Sequence, residues 1–227
     1  MKQDLNQYTE ALRACGIFKD AENEQIPAML DILKARVVEY SKGETIFRIG
    51  DTVREAAVVL DGTVVVETND AEGEKTTLNM LRQGDEFGVY MVLSGNNRCP
   101  MHIYATSHCE LMLMDVMGAG QSTHHSQEQW LLMKNLLTTI ADCCVDLYTK
   151  VQIYGKKRIR SRIKAYILTL DVHDGEVQLP MNRTSLAAYL GVDRTALARE
   201  LSRMQEEGLI AVNKRQVRLL DRDFFNL

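Results

Sequence analysis

The sequence predicts an α+β fold with three parts: an antiparallel roll of short strands, one long helix, and a helical unit that ends in a β-hairpin. Residues 37–116 show the period of two that is typical of strands, and residues 126–155 show the period of an amphipathic helix. Residues 182–210 contain two short helical patterns separated by a glycine. From these patterns we expect domains at residues 1–120, 121–154 and 155–227.

The composition indicates a globular protein of a reducing compartment. The chain has 227 residues, 45% of them hydrophobic, which is enough for two modest domains with their own cores. No apolar run approaches the roughly 18 residues of a membrane span, and the opening MKQDLNQYTE does not resemble a signal peptide. The five cysteines are odd in number and lack a CxxC spacing, which disfavours a disulfide framework. We therefore expect a cytoplasmic protein without membrane contact.

The charge is divided unevenly along the chain. The whole sequence has a net charge of −4, but residues 151–227 contain 14 Lys and Arg against 9 Asp and Glu, whereas residues 1–150 contain 13 against 22. The excess of positive charge lies in the carboxy-terminal part, where it can neutralise the phosphates of a nucleic acid. The acidic amino-terminal part is not expected to touch DNA.

The first half contains short β-rich runs separated by glycines. Asp61-Gly62, between two valine-rich runs, predicts a two-residue hairpin turn, and residues 69–74 predict a second, longer hairpin loop. Many short strands at regular spacing are typical of an antiparallel roll or barrel. A helix around residues 23–34 is expected to pack on the roll. Its apolar anchors are Ile26, Met29, Leu30 and Leu33.

A long helix from about Ser126 to Gly155 has two apolar faces. One face repeats with spacings of four and three, the heptad pattern of helices that pair with each other. Its members are Met133, Leu137, Ile140, Cys144, Leu147, Val151 and Tyr154. A second edge of Leu132, Leu136 and Cys143 faces the roll. The two faces predict a helix that packs on its own domain and on a second copy of the chain, while a single buried core helix is the alternative.

Cys144 stands on the heptad face, where two copies of the helix would approach each other. An interchain disulfide that responds to oxidation is one interpretation of this position. A small apolar residue that fills the seam is the other, and we favour it.

Residues 182–210, NRTSLAAYLGVDRTALARELSRMQEEGLI, predict two helices joined by a tight turn. Asn182 and Asp193 are good N-cap residues, each just before a helical stretch. Gly191 supplies the positive φ that the turn requires, and Ala187 is small enough for the helices to cross closely. This pattern is typical of a helix-turn-helix, whose second helix enters the major groove of DNA. A helical hairpin with a solvated basic face is the alternative.

Arginines and a hairpin surround the second of these helices. Arg194, Arg199 and Arg203 fall on positions that avoid its apolar face. Residues 209–221 predict two short strands around a polar turn, which is a wing with Lys214 at its tip near phosphates. We therefore expect double-stranded DNA as the partner. The expected contact residues are Arg183, Asp193, Arg194, Thr195, Ala198, Arg199, Arg203 and Lys214.

Two segments of the roll, KGETIFRIGDTVREAAVVLDGTVVV and GDEFGVYMVLSG, together with the helix-turn-helix pattern, resemble the Crp/Fnr family of transcriptional regulators. The resemblance covers almost the whole chain, with a leading helix, a jelly-roll sensor domain, a long helix and a winged helix-turn-helix in the same order. It implies a parallel homodimer on a palindromic DNA site, control by a small effector, and contact with RNA polymerase. It also implies that Arg194 and Arg199 take base-reading positions, with guanine as the expected base. Thr195 and Ala198 differ from the residues of the cyclic-AMP-responsive members, so the half-site should differ too.

The loop after Phe-Gly departs from the nucleotide-binding members of this family. Those members carry a glutamate for the ribose and an arginine, followed by Ser or Thr, for the cyclic phosphate. Here Val89 stands at the glutamate position and Cys99 at the arginine position, preceded by Arg98. A buried ribose and phosphate without those partners would be left unsatisfied, so cyclic AMP is not the expected effector. Because Arg98 is a cation beside this position, an anionic effector stays an alternative.

We expect an unidentified small molecule, held between the roll and the long helix, as the effector, with no cofactor identified. The residues expected to line its pocket are Gly88, Val89, Tyr90, Arg98, Cys99, Met101, Trp130 and Met133. A constitutive DNA binder with a vestigial pocket is one alternative, and a redox or haem sensor that uses its cysteines is another.

Other chemistries are disfavoured by residue spacing. An iron–sulfur relative needs closely spaced cysteines near the amino terminus, where Cys15 is alone. A haem relative needs ligands in the strand expected to hold Cys99 and His102, and a spacing of three places these on opposite faces. An enzyme built on such a roll needs a His-x-His metal cluster, which the five histidines do not form. We therefore expect neither a metal site nor an enzyme.

Overall fold

The computed structural model describes residues 5–69, 75–120 and 126–225, and it confirms the antiparallel roll. The strands are β1 (Arg36–Tyr40), β2 (Thr45–Phe47), β3 (Ala56–Asp61), β4 (Val64–Asn69), β5 (Lys75–Leu81), β6 (Glu86–Phe87), β7 (His102–Ala105) and β8 (Cys109–Met114). They build two four-stranded sheets in the orders β1-β8-β3-β6 and β2-β7-β4-β5. β4 and β5 pair as the second predicted hairpin, whose loop lies outside the described residues.

The turn at Asp61-Gly62 is not the hairpin that the sequence predicts. β3 pairs with β6 and β8, whereas β4 pairs with β5 and β7, so the chain passes from one sheet to the other at this point. Gly62 has a φ of 88°, and a Cβ there would lie 2.3 Å from the backbone oxygen of His108. A glycine is therefore required at position 62, where the chain crosses between the two sheets in close contact with the backbone of His108.

Short helices flank the strands. They are α1 (Thr9–Ala14), α2 (Ile26–Ile32) and α3 (Val89–Leu93), with single 3₁₀ turns at Leu5–Tyr8, Gly16–Phe18 and Gly118–Gly120. α2 is shorter than the helix expected at residues 23–34, because Pro27 fits a first turn and Lys34 takes a left-handed φ of 47° beyond its end. The anchors are confirmed, since Ile26, Met29, Leu30 and Leu33 are all buried. α1 and α3 are too short for a helical period to show in the sequence.

The long helix is confirmed as α4 (Gln127–Tyr154), and its amino-terminal half packs on the roll. Leu132 and Leu136 are buried in the same core as the strands, as expected. The side-chain amide of Asn135 donates hydrogen bonds to the backbone oxygens of Ile17 (3.0 Å) and Lys19 (2.7 Å). These bonds fix the register of the helix, because a slip would leave buried polar groups unpaired.

A stripe of apolar side chains on α4 is exposed in the single chain. Leu137 and Val151 are 67% and 68% exposed, and Trp130, one turn before the stripe, is 67% exposed. Ile140 differs from the expectation, since it is half-buried against the core of the roll. It lies one turn after Leu136, on the edge of the face that packs on the roll. The other exposed members are Met133, Cys144, Leu147 and Tyr154.

The carboxy-terminal unit has its own apolar core. Its elements are α5 (Ile159–Ile167), β9 (Glu176–Gln178), α6 (Arg183–Leu190), α7 (Arg194–Glu206), β10 (Ile210–Asn213), β11 (Gln216–Leu219) and α8 (Arg222–Phe225), and its sheet has the order β10-β11-β9. The compact carboxy-terminal unit begins at Cys143, and the last turns of α4 contribute to its core through Ile153. No helix in the described ranges is long and apolar enough to span a membrane.

Candidate nucleic-acid interface

Both N-caps expected in the helix-turn-helix are formed. The Oδ1 atom of Asn182 accepts a hydrogen bond from the backbone N–H of Ser185 (3.0 Å) at the start of α6. The Oδ1 atom of Asp193 accepts from the N–H groups of Thr195 (2.8 Å) and Ala196 (3.0 Å) at the start of α7. These backbone hydrogen bonds favour the carboxylate and lower the pKa of Asp193. The caps therefore set where each helix begins.

The turn between α6 and α7 uses the two small residues that the sequence indicates. Gly191 ends α6 with a φ of 62°, in the left-handed region that a β-carbon disfavours. A Cβ at this position would also lie 3.2 Å from the ring of Tyr154. Ala187 is buried in the core of the unit. A larger side chain would disturb that core at position 187 and would press against Tyr154 at position 191.

Helix α7 has one face in the core and one in solvent. Leu197, Leu201 and Met204 are buried, as the sequence predicts. The opposite face carries exposed side chains of several kinds, among them Thr195, Ala198, Arg199, Ser202 and Arg203. Salt bridges in the described part of the chain do not involve Arg194, Arg199 or Arg203. This face therefore presents cationic and hydroxyl groups without an ion pair that would have to be broken.

A network that the sequence did not indicate holds α7 against α5. The guanidinium of Arg160 donates to the carboxylates of Glu200 (2.6 Å) and Glu207 (2.6 and 2.8 Å). These partners raise the pKa of Arg160 above its usual value. In the sequence, the run KKRIRSR looks like one basic face, and no local spacing distinguishes an arginine that pairs inside the unit from one that faces solvent.

The wing is present as predicted. β10 and β11 pair with Asn213 opposite Gln216, and Lys214 in the turn between them has a left-handed φ of 53°. The side chain of Gln205 on α7 accepts a hydrogen bond from the N–H of Val212 (2.9 Å), which ties the wing to the second helix. Lys214 is exposed at the tip.

A cleft of about 270 Å³ runs beside α7. Its lining combines an apolar floor with two arginines, Arg183 from the start of α6 and Arg194 from the start of α7. The floor includes Leu197, Ala198 and Leu201. The structure thus brings the predicted residues of both helices to one side of the unit.

The structure places the residues expected at the effector pocket in two kinds of environment. Val89 and Cys99 are buried in the core of the roll, and the thiol of Cys99 donates to the backbone oxygen of Met101 (3.1 Å). The guanidinium of Arg98 donates to the backbone oxygen of Gly50 (2.8 Å). Gly88 begins α3 with a φ of 87°. Three others lie at the surface, namely Tyr90, Trp130 and Met133, and Met101 is half-buried.

The surroundings of Cys99 correct one expectation. It lies in the loop before β7 and not in a strand with His102, so opposite strand faces do not separate the two residues. The Nε2 atom of His102 lies 3.2 Å from the hydroxyl of Thr45, and its ring stacks on Tyr104. Among the residues that the structure describes, no three His, Cys, Asp or Glu side chains are grouped so as to hold a metal ion.

Burial governs the chemistry of three cysteines. It raises the pKa of the thiols of Cys15, Cys99 and Cys143, which lowers the thiolate fraction that reacts with oxidants. Cys144 is exposed on α4. A redox response that uses a surface thiol would therefore start at Cys144.

Comparison with known proteins agrees with this architecture. A model of the cyclic nucleotide-binding domain matches residues 37–117, and a model of the Crp-like helix-turn-helix domain matches residues 161–225. The Global nitrogen regulator of Nostoc sp. is 24% identical over 190 residues, which cover 80% of this chain and 84% of that protein. The Fumarate and nitrate reduction regulatory protein of Escherichia coli K12 is 24% identical over 210 residues, which cover 88% and 81%.

Solved structures show the same fold. The Catabolite Activator Protein of Thermus thermophilus aligns with a TM-score of 0.54 at 21% identity, over 93% of this chain and 96% of that one. The c-di-GMP-responsive global regulator CLP of Xanthomonas campestris aligns with a TM-score of 0.58 at 19% identity, over 88% and 100%. The two domain matches together cover more than half of the chain in the order that the structure shows. The chain therefore belongs to the Crp/Fnr family of DNA-binding transcriptional regulators with an amino-terminal sensor domain.

Proposed function

We propose that this regulator acts as a homodimer that reads a palindromic DNA site with helix α7. The observation that carries the proposal is the solvent face of α7, which is capped by Asp193 and backed by a buried apolar face, and whose arginines form no salt bridge with the other residues that the structure describes. Two such helices in a dimer enter successive major grooves, with half-sites one helical turn, roughly 34 Å, apart. We propose the cytoplasm as its site of action.

The proposed roles follow from the position of each side chain on α7 and its neighbours. Arg194 and Arg199 read base edges, and a guanidinium that donates to guanine O6 and N7 is the contact we expect. Arg183 and Lys214, at the start of α6 and the tip of the wing, hold phosphates and so set the register without reading sequence. Arg203, one turn beyond Arg199, contacts the backbone or a flanking base.

The proposed dimer forms along the exposed stripe of α4. Its exposed apolar side chains repeat at heptad spacing over most of a 28-residue helix, which is the pattern of parallel coiled-coil seams. Leu137→Glu should convert the dimer to a monomer, because two carboxylates would face each other across the seam. Val145→Glu is the matched control, since Val145 is equally exposed but lies off the stripe. Sedimentation velocity distinguishes the two variants. A dimeric Leu137→Glu chain would contradict the seam.

The sensor part of the proposal concerns a small effector other than cyclic AMP. Val89 and Cys99 are buried where nucleotide-binding relatives place polar groups, and Arg98 is bound to Gly50. An effector that stabilises one arrangement of the dimer would shift the population toward it, provided that its affinity for the two arrangements differs. The burial of Val89 and Cys99 also supports a second candidate, a constitutive DNA binder whose pocket no longer takes a ligand. By family resemblance, the bound dimer contacts RNA polymerase.

The test is selection from a randomised duplex library by the purified full chain, in reducing buffer with no ligand added. We expect enrichment of one palindrome, which would define the half-site and show that the dimer without effector is competent to bind DNA. Salt-sensitive binding to every duplex, with no sequence enriched, would mean that the apo chain lacks the specific arrangement and that an effector supplies it. No binding even at low salt would contradict the proposal.

A further inference from the structure

The last turns of α4 and the helix-turn-helix are joined by more than apolar packing. Ile153 is 1% exposed and lies in the same core as α5, α6 and α7. The segment between α4 and α5, Gly155–Arg158, contains a glycine and three basic residues, a composition that is typical of a flexible linker. The contacts on both sides of this segment show that it is held.

Arg162 on α5 holds the ends of two helices with one guanidinium group. Its Nη1 atom donates to the backbone oxygens of Leu190 (3.0 Å) and Gly191 (3.0 Å) at the end of α6. Its Nη2 atom donates to the oxygen of Tyr154 (3.3 Å) at the end of α4, and its Nε atom to that of Lys156 (2.9 Å). Carbonyls at helix ends have no partner within their helix, and a cation there also complements the helix dipole. The planar fork of an arginine suits this set of acceptors, whereas a lysine could not span it.

A second contact joins α6 to α4 two turns before the end of that helix. The hydroxyl of Tyr189 donates to Oδ1 of Asp146 (3.0 Å), and the ammonium of Lys150 pairs with Oδ2 of the same carboxylate (2.8 Å). Lys150 also lies over the ring of Tyr189, 5.1 Å from its centroid. Burial and the neighbouring carboxylate raise the pKa of Tyr189, so the hydroxyl remains a donor. The ring of Tyr166 also lies near that of Tyr189, at a centroid distance of 5.1 Å.

We propose that Arg162 and Tyr189 are positioning residues that make α6, α7 and the stretch from Cys143 to Tyr154 one rigid body. The proposal rests on the homodimer described above. The same stretch of α4 carries four of the seam residues, Cys144, Leu147, Val151 and Tyr154. In a dimer, the distance between the two α7 helices is then set by the paired α4 helices, because no flexible segment lies between α4 and the helix that binds DNA. Selectivity for half-site spacing is the functional property that these two residues supply.

The rigid-body part is tested without DNA, by amide hydrogen exchange on the full chain. Arg162→Gln should speed exchange in residues 143–154 and 186–191 on the order of tenfold relative to β10–β11, the effect of losing one or more hydrogen bonds from a charged donor. Arg160→Gln is the matched control, because the hydrogen bonds of Arg160 in the described chain go to Glu200 and Glu207. Equal exchange in residues 143–154 for the two variants would overturn the proposal. Tyr189→Phe keeps the ring and removes only the hydroxyl, so it gives a second reading if Arg162→Gln does not fold.

The functional part is tested on duplexes that carry the selected half-sites with the spacer shortened or lengthened by one base pair. Wild type should bind one spacer length more tightly than the others. Arg162→Gln and Tyr189→Phe should reduce this difference in affinity, while the base preferences within each half-site stay unchanged. A uniform loss of affinity with spacer preference retained would show a merely structural role and overturn the proposal. If wild type binds no duplex even at low salt, the proposed function fails, and the exchange result still decides whether the rigid body exists.

Discussion

Helix α7, the proposed DNA reader, and the segment from Gly88 to Cys99, the expected effector site, place their polar side chains in opposite ways. On α7, the arginines point to solvent and the apolar residues form the core. In the loop, Val89 and Cys99 are buried, and the guanidinium of Arg98 is bound to the backbone of Gly50. Similarity to one family therefore supports the DNA-binding chemistry of this chain much more strongly than a cyclic-nucleotide site.

The largest effect is expected for Val89→Glu, which restores the residue type of nucleotide-binding relatives. A carboxylate at this position, where Val89 is 3% exposed, would be removed from water, so we expect a loss of several kcal/mol in the free energy of unfolding and no binding of cyclic AMP. Leu93→Glu, on the exposed side of the same helix α3, should cost little. Thermal unfolding and calorimetric titration measure both properties. A stable Val89→Glu chain that binds cyclic AMP would show that the loop is an open nucleotide site.

A smaller effect is expected at the cap of α7. Asp193→Ala should fray the first turn of the recognition helix and weaken specific DNA binding, whereas Asp193→Asn should keep the cap. Because the folded-state pKa of Asp193 is lowered, its stabilising contribution is present above the ordinary carboxyl pKa and is lost as the pH falls through the lowered value. Unfolding measured across the acidic range should show a steeper decline in stability for wild type than for Asp193→Asn. Parallel curves for the two proteins would contradict the role of the carboxylate.

Lys214→Ala separates phosphate contact from base reading. Removal of this wing-tip charge from both subunits of the dimer should weaken binding about equally for all sequences and reduce the slope of log affinity against log salt by about two, one for each lost phosphate contact. Lys134→Ala, in the acidic amino-terminal unit, is the control and should leave the slope unchanged. Fluorescence anisotropy at several salt concentrations gives the slope. A change confined to one base position would assign Lys214 to readout instead.

The smallest effect is expected for Arg98→Ala. The side chain is exposed and its hydrogen bond is to one backbone oxygen, so the loss in unfolding free energy should be about 1 kcal/mol, with DNA affinity unchanged. Chemical denaturation and anisotropy measure the two quantities. A large loss of DNA affinity would instead connect this arginine to the control of DNA binding, as an anionic effector site would require.

The features that could be predicted from the sequence are those whose cause is local. The caps at Asn182 and Asp193, the turn at Gly191 and the period of α4 all depend on residues within a few positions of each other, and the structure confirms them. Asp61-Gly62 has an equally strong local pattern, but the partners of its strands are chosen by residues far along the chain. The hairpin prediction was wrong for that reason.

The same limit applies to the side chains that hold the unit together. Arg160 and Arg162 are two residues apart in one basic run, yet one pairs with Glu200 and Glu207 and the other caps the ends of α4 and α6. Their partners are 28 to 47 residues away for most of these bonds. Burial at Val89 likewise depends on how the sheets pack. The spacing of residues along the sequence therefore predicts neither the partners of these arginines nor the burial of Val89.

The most direct test is the affinity of wild type and Arg199→Ala for the selected palindrome, for single-base variants of it, and for random duplex. Arg199→Ala should lose about 1–3 kcal/mol on the palindrome and almost nothing on random DNA, and its discrimination should disappear at one position of each half-site. That result would establish α7 as the element that reads the sequence. Equal losses on the palindrome and on random DNA would mean that Arg199 contacts only phosphate and that the sequence is read elsewhere.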